Sequence, residues 1–190
     1  MSSDGRPVTT LQLVNTVPMV SIRDESTCFE VFSSELDYVC RTFRRLGVGS
    51  ADVEDLAHEV FLVLARKWSG FDRTRPLRPY LFGIAYRIAK AHRRRSTRPP
   101  GVENVEIADP SAQPDAQLEA ERARALVLSA LERLPLARRA VLVMHDIDEV
   151  PMRDVTRALG IPLFTGYSRL RKARVEFASA VRAITGGNDE

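Results

Sequence analysis

The stretch "PMRDVTRALGIPLFTGYSRLRKAR", Pro151–Arg174, reads as two helices hinged at a glycine. Val155 and Leu159 are spaced to face a core, Gly160 allows a tight turn, and Ile161 can plug the corner between the helices. Pro162 to Thr165 then open the second helix, from which Ser168, Arg169, Arg171, Lys172 and Arg174 project. Between residues 162 and 182, five basic side chains stand against one acid, Glu176. A helix built this way can lie in the major groove of DNA, with N-terminal side chains on base edges and arginines on phosphates. The competing explanation is a solvated basic face on an ordinary helical hairpin. Gly166 sits inside the second helix, where glycine costs about 1 kcal/mol relative to alanine and buries no side chain. Phe164, two residues away, is expected to fill the space that Gly166 vacates.

Outward from this stretch the chain remains helical. Phe29, Phe32, Leu36, Val39, Cys40 and Phe43 recur at steps of three and four, and Gly47 and Gly49 close that helix. Ser50 is placed to cap the next helix, which carries Val53, Leu56, Ala57, Val60, Val63 and Leu64 on one side and stops at Ser69-Gly70. A polar loop leads to a third helix from about 78 to 95. Residues 99–117 then hold four prolines, four carboxylates and no lysine or arginine, which is the composition of a tether. Helical periodicity resumes from Leu118 to Leu134 and from Leu136 to about Ile147. No alternating β pattern of useful length interrupts it. The expectation is an all-α chain of two small helical domains joined by a flexible acidic linker, the C-terminal one containing a helix-turn-helix. The divisions fall at 1–23 (flexible extension), 24–98, 99–117 (linker) and 118–185.

Composition narrows the function classes. The net charge of +3 decides little, whereas the clustering of charge is informative. The first 20 residues lack the pattern of a secretory signal, and no apolar run is long enough to span a membrane. Cys28 and Cys40 are too few for a disulfide framework and read as reduced thiols of a cytoplasmic protein. His58, His92 and His145 are scattered, with no nucleophile–base set, no metal-ligand spacing and no glycine-rich phosphate loop. The expectation is therefore no catalytic residue, no metal, no cofactor and no enzyme activity.

Two further constellations stand in the first half. Arg87, Lys90, Arg93, Arg94, Arg95 and Arg98 form a basic run without an acid, downstream of Trp68, Phe71, Tyr80, Phe82 and Tyr86. Rings beside a basic surface suit single-stranded nucleic acid, where bases stack and phosphates are neutralised. Trp68, Phe82 and Tyr86 read better as core, leaving Phe71, in a loop with Asp72, Arg73, Arg75 and Arg78, as the ring placed to touch bases. Asp52, Asp55 and Glu59, at i, i+3 and i+7, share one helix face. Acids near a helix start complement its dipole, but Glu59 lies too far along for that. An acidic face on a nucleic-acid-binding domain favours a protein partner.

In this order the parts resemble the sigma-70 family of bacterial RNA polymerase initiation factors, specifically its small extracytoplasmic-function (ECF) subgroup. "DVEDLAHEVFLVLARKW" is similar to the family's polymerase clamp-binding segment, "PYLFGIAYRIAKAHRRR" to its helix for the melted minus-ten element, and residues 130–174 to its minus-thirty-five-binding domain. The resemblance implies core polymerase contacts at Asp52, Asp55, Glu59 and Phe61. It implies minus-ten contacts at Phe71, Asp72, Arg73, Arg75, Arg78, Tyr80, Arg87, Lys90, Arg93 and Arg94. Minus-thirty-five contacts would fall on Thr165, Tyr167, Ser168, Arg169, Arg171 and Lys172. The implied partners are core RNA polymerase, promoter DNA and an inhibitory anti-sigma factor. Departures from the family pattern are Tyr80 for tryptophan, Arg87 and Ala91 for asparagine and aspartate, His58 for glutamine, and Gly166-Tyr167 for valine-lysine. The rival function is a stand-alone helix-turn-helix regulator binding operator DNA.

Overall fold

A computed structural model of the chain describes residues 22–95 and 115–186. The greater part of the expected extension and of the expected tether lies outside the described residues. Among the described residues there are seven α-helices: α1 (Ile22–Leu46), α2 (Ser50–Lys67), α3 (Leu77–Arg95), α4 (Asp115–Glu132), α5 (Leu136–Leu142), α6 (Met152–Leu159) and α7 (Leu163–Thr185). A single 3-10 turn, Trp68–Gly70, extends α2, and a widened π turn, Val143–Ile147, extends α5. Among the described residues there is no strand. α4 opens at Asp115, so the last residues of the expected tether are already helical.

Helical spacing accounts for the first three helices. Phe32, Val39, Phe43 and Leu46 of α1 are buried against Val53, Leu56, Val60 and Leu64 of α2 and Leu81, Phe82 and Ala85 of α3. Trp68, Phe82 and Tyr86 are core residues, as their surroundings in sequence suggest. Gly47 ends α1 with φ +81, and the amide of Val48 donates back to the Phe43 carbonyl at 3.0 Å. The same closure recurs at Gly160, φ +65, where the amide of Ile161 donates to the Thr156 carbonyl at 3.0 Å. Both are left-handed helix terminators that a Cβ would strain. Ser50 does not cap α2: it is the first helical residue, and Gly49 holds the cap position without a side-chain bond.

The second half packs α7 across α5, α4 and α6, and its core joins that of the first half without a break. Three contacts stand out at the seam, among others. Asp148, beyond the π turn, accepts from Arg45 Nη1 at 2.6 Å and from Tyr38 Oη at 3.0 Å. Burial first, then the neighbouring Asp148, holds the Tyr38 phenol well above its ordinary range. Arg139 is buried beside Gly47 and donates from Nη2 to the carbonyls of Glu132 (2.6 Å) and Leu134 (3.2 Å). Burial, and secondarily Arg93, pushes its guanidinium down to about 10, so it keeps its charge at neutral pH. Finally α3 meets α6 at Gly83, where a Cβ would stand 2.6 Å from the Ala158 carbonyl oxygen.

The Gly83 approach leaves no space for a side chain, because the opposing atom is backbone. Gly83→Val is expected to lower stability by about 1–3 kcal/mol and to enlarge the particle, as α6 is pushed off α3. Chemical denaturation and small-angle X-ray scattering measure both. An unchanged midpoint with an unchanged radius of gyration would contradict the seam.

Candidate nucleic-acid interface

The basic run of the first half lies along the exposed side of α3. Arg87, Lys90, Arg93 and Arg94 are exposed, while Ala85 and Ala89 turn inward. The rings gather at its start. Phe71 stacks on Trp68 with centroids 5.9 Å apart and planes 9° apart, and lies 4.9 Å from Tyr80. Phe71 is thus a half-buried member of a ring cluster rather than a free loop residue. One edge of it, with Tyr80, Arg75 and Arg87, lines a hollow closed on the far side by Asp154 and Arg157 of α6. Arg87 also donates to the Ala158 carbonyl at 3.4 Å.

The loop charges are largely internally matched. Asp72 accepts from the amide (3.1 Å) and hydroxyl (2.6 Å) of Thr74 and pairs with Arg75 at 3.1 Å. The Thr74 bonds and then Arg75 hold its carboxyl below the usual range. Arg78 reaches back to Glu35 of α1 at 2.8 Å and lies over the Tyr38 ring at 5.3 Å. Arg73 lies over the Trp68 ring at 5.5 Å. Asp72 and Arg75 therefore shape the loop as well as charging it, and Arg78, in the first turn of α3, ties that helix to α1. The sequence offers no signal for the Glu35 partner, which is 43 residues away.

The acidic face is only partly gathered. Asp55 and Glu59 are exposed neighbours on α2, and Glu59 borders a hollow shared with Arg87 and Arg95. Asp52 is partly drawn aside by His92 of α3, whose Nε2 lies at 3.3 Å. Phe61 stands apart from the three acids: its ring faces α1, 5.3 Å from Phe32 and 6.1 Å from Phe29.

On α7 the helical period separates two sides. Gly166, Leu170, Ala173 and Ala180 are buried, whereas Tyr167, Arg171 and Lys172 are exposed and Thr165, Ser168 and Arg169 half-buried. The expectation for Phe164 fails, since it is 83% exposed. The space at Gly166 is filled from α6 instead: a Cβ there would stand 2.5 Å from Thr156 Cγ2 and 2.9 Å from Met152 Sδ. Arg174 projects from α7 as its spacing predicts, but it is engaged within the protein. Its Nε and Nη2 grip the two oxygens of Asp146, each at 2.8 Å. Glu176, the acid of this helix, pairs with Arg138 at 2.9 Å. Among the described residues Arg171 and Lys172 make no ion pair, so the outward face keeps an unopposed positive charge.

Comparison with known proteins covers both halves. The family model for sigma-70 region 2 matches residues 31–99, and that for sigma-70 region 4 matches residues 122–177. The chain is 25% identical over 146 residues to the RNA polymerase sigma factor NccH of Alcaligenes xylosoxydans, covering 74% of this chain and 78% of that one. It is 28% identical over 154 residues to the ECF RNA polymerase sigma factor RpoE of Cereibacter sphaeroides, covering 80% and 84%. The fold resembles CnrH solved in complex with the cytosolic domain of CnrY, with TM-score 0.59, 19% identity, and coverage of 85% and 94%. It also resembles RpoE in complex with the anti-sigma factor NepR from Bartonella quintana, with TM-score 0.57, 20% identity, and coverage of 80% and 98%.

The Arg174 bond, followed by the Arg174 charge, holds Asp146 below its ordinary pKa. A lowered folded pKa gives stability that is present above the unfolded value and lost as pH falls through the folded one. Asp146→Asn is expected to destabilise by no more than about 1 kcal/mol at neutral pH, because the pair is half in solvent. The gap to the parent chain should close as the pH drops below the carboxylate range. Denaturation midpoints across pH 2–7 check this; a gap constant with pH would contradict it.

Proposed function

The chain belongs to the sigma-70 family of RNA polymerase initiation factors, in its ECF subgroup, and on that premise we propose how its surfaces divide the work. As a sigma factor it binds core RNA polymerase and directs promoter-specific initiation. Its family consists of initiation factors rather than enzymes. The region 2 match disfavours a stand-alone operator-binding regulator, which needs only the helix-turn-helix.

The observation that carries the division is the distribution of exposed charge, carboxylates on α2 and cations on α3 and α7. Asp55 and Glu59 offer exposed carboxylates on α2, whereas Lys90, Arg93 and Arg94 of α3 and Arg171 and Lys172 of α7 offer exposed cations. The acids are placed to dock on a basic element of core polymerase and to repel DNA from that side. The α3 cations, with the Phe71–Tyr80 rings at their start, are placed for the strand exposed on melting. The α7 cations are placed for upstream duplex phosphates, with Thr165, Tyr167 and Ser168 nearer the base edges. Phe61, with Phe29, offers an apolar patch on the other side of α2, suited to a separate contact from that of the acids.

Two solved relatives of this fold are held by partners, the cytosolic domain of CnrY and the anti-sigma factor NepR. A partner of that class is proposed for this chain as well. Among the described residues no helix is long and apolar enough to cross a membrane. The cytoplasm, where the polymerase works, is the proposed site of action.

Reversing charge on the acidic face tests the division. Asp55→Arg combined with Glu59→Arg is expected to weaken core polymerase binding at least about tenfold, as several like charges are juxtaposed. Both side chains are exposed, so helicity and melting temperature should hold. Undiminished capture of core polymerase by the folded double variant would overturn the assignment of this face.

A further inference from the structure

We infer that Phe164 is a specificity-determining residue of the upstream DNA contact, its ring packing on the 5-methyl group of a thymine in the major groove. The inference rests on the proposed role of α7 as the duplex-reading helix, and adds to it a side chain that senses one base.

Three observations carry it. Phe164 is 83% exposed, more than any other large hydrophobic side chain among the described residues. Internal packing does not account for it, because Thr156 and Met152 already occupy the space at Gly166 that a neighbouring ring could have filled. Its place on the helix is also telling. At 100° per residue, Phe164, Ser168, Arg171 and Val175 form one stripe, opposite the buried Gly166, Leu170 and Ala173. Phe164 stands in the first turn of α7, the end of a recognition helix that approaches base edges. It forms the lip of a shallow groove with Pro135, Ala137 and Thr165, and Ser168 and Lys172 share that groove. Val175, equally outward, lies about 16 Å further along the axis and cannot enter the same stretch of groove.

The chemistry selects the contact. A phenyl ring makes no conventional hydrogen bond to a base edge, and it gains by covering apolar surface. The thymine methyl is the apolar group that base edges display in the major groove. Arg171 and Lys172, at phosphates, hold the duplex whatever its sequence. Phe164 thus converts a docking helix into one that distinguishes thymine at one position.

The test uses core polymerase reconstituted with the full chain. Duplexes selected by this holoenzyme from a randomised library are resynthesised with deoxyuridine replacing thymidine, one position at a time, in the upstream element. With the parent chain, removing one methyl group is expected to weaken binding about fourfold. With Phe164→Ala that position should become indifferent to the methyl, while helicity and melting temperature are retained. Arg171→Ala should weaken every duplex and lower the slope of log affinity against log salt by about one, yet keep the methyl preference.

Several results overturn the inference. Phe164→Ala could discriminate thymidine from deoxyuridine as the parent does, or selection could return no upstream thymine whose methyl matters. An equal loss by Phe164→Ala on both duplexes would place the ring against protein or the sugar backbone. If instead Arg171→Ala and Lys172→Ala leave upstream affinity and salt slope unchanged, the duplex-reading role of α7 fails, and the inference falls with it.

Discussion

The Asp148 carboxylate, gripped by Arg45 and Tyr38, is the charged contact that ties the second half of the chain to α1. Only about 10% of that side chain is exposed, so the anion has lost most of its hydration. A carboxylate so placed is tolerable only when charged and hydrogen-bonding partners replace water. Arg45 supplies the charge and Tyr38 the second donor, both from α1. The bond sits immediately before Glu149, φ 56, in the turn that leads to Pro151 and the start of α6. From there α6 reaches α3 at Gly83, and α7 rests on α6 through Gly166. Two glycines thus serve as contact points for neighbouring helices: Gly83 admits a backbone, and Gly166 admits side chains.

α6 also shapes the surface proposed for nucleic acid. α6 stands over the edge of the Phe71–Tyr80 cluster, and Asp154 and Arg157 share a hollow with Arg75 and Arg87. Arg87 is engaged with the Ala158 carbonyl. Lys90, Arg93 and Arg94, further along α3, remain exposed. The start of the basic helix is therefore read together with α6, while its far end faces outward independently.

Local features of the chain were legible from its residues. Steps of three and four located the helices, Gly47 and Gly160 announced their terminators, and Trp68, Phe82 and Tyr86 read correctly as core. What escaped was long-range pairing. Gly166 advertises a missing side chain, but only the packing of α6 shows that Thr156 and Met152 fill the gap and leave Phe164 outside. Arg174 resembles its basic neighbours in sequence, yet the π turn carries Asp146 to it across 28 residues. Arg139, one of many arginines, is buried because Gly47 leaves room for it on the other half. A charge count cannot separate an arginine that binds DNA from one that holds the fold, because the difference is the presence of an acceptor brought near by folding. The ordered set of acidic face, ring-headed basic helix and helix-turn-helix was nevertheless specific enough to indicate the family, which both region matches bear out.

Joint action of these surfaces, as a promoter-directing subunit of RNA polymerase, is what the proposed function requires. Its most direct test is transcription in vitro by core polymerase from a library of genomic fragments, with and without this chain, followed by mapping of the RNA 5′ ends. The account predicts a discrete set of starts that need both core and chain, preceded by two shared sequence elements at constant spacing. It would be contradicted if the chain added no starts to core polymerase while binding duplex DNA tightly on its own.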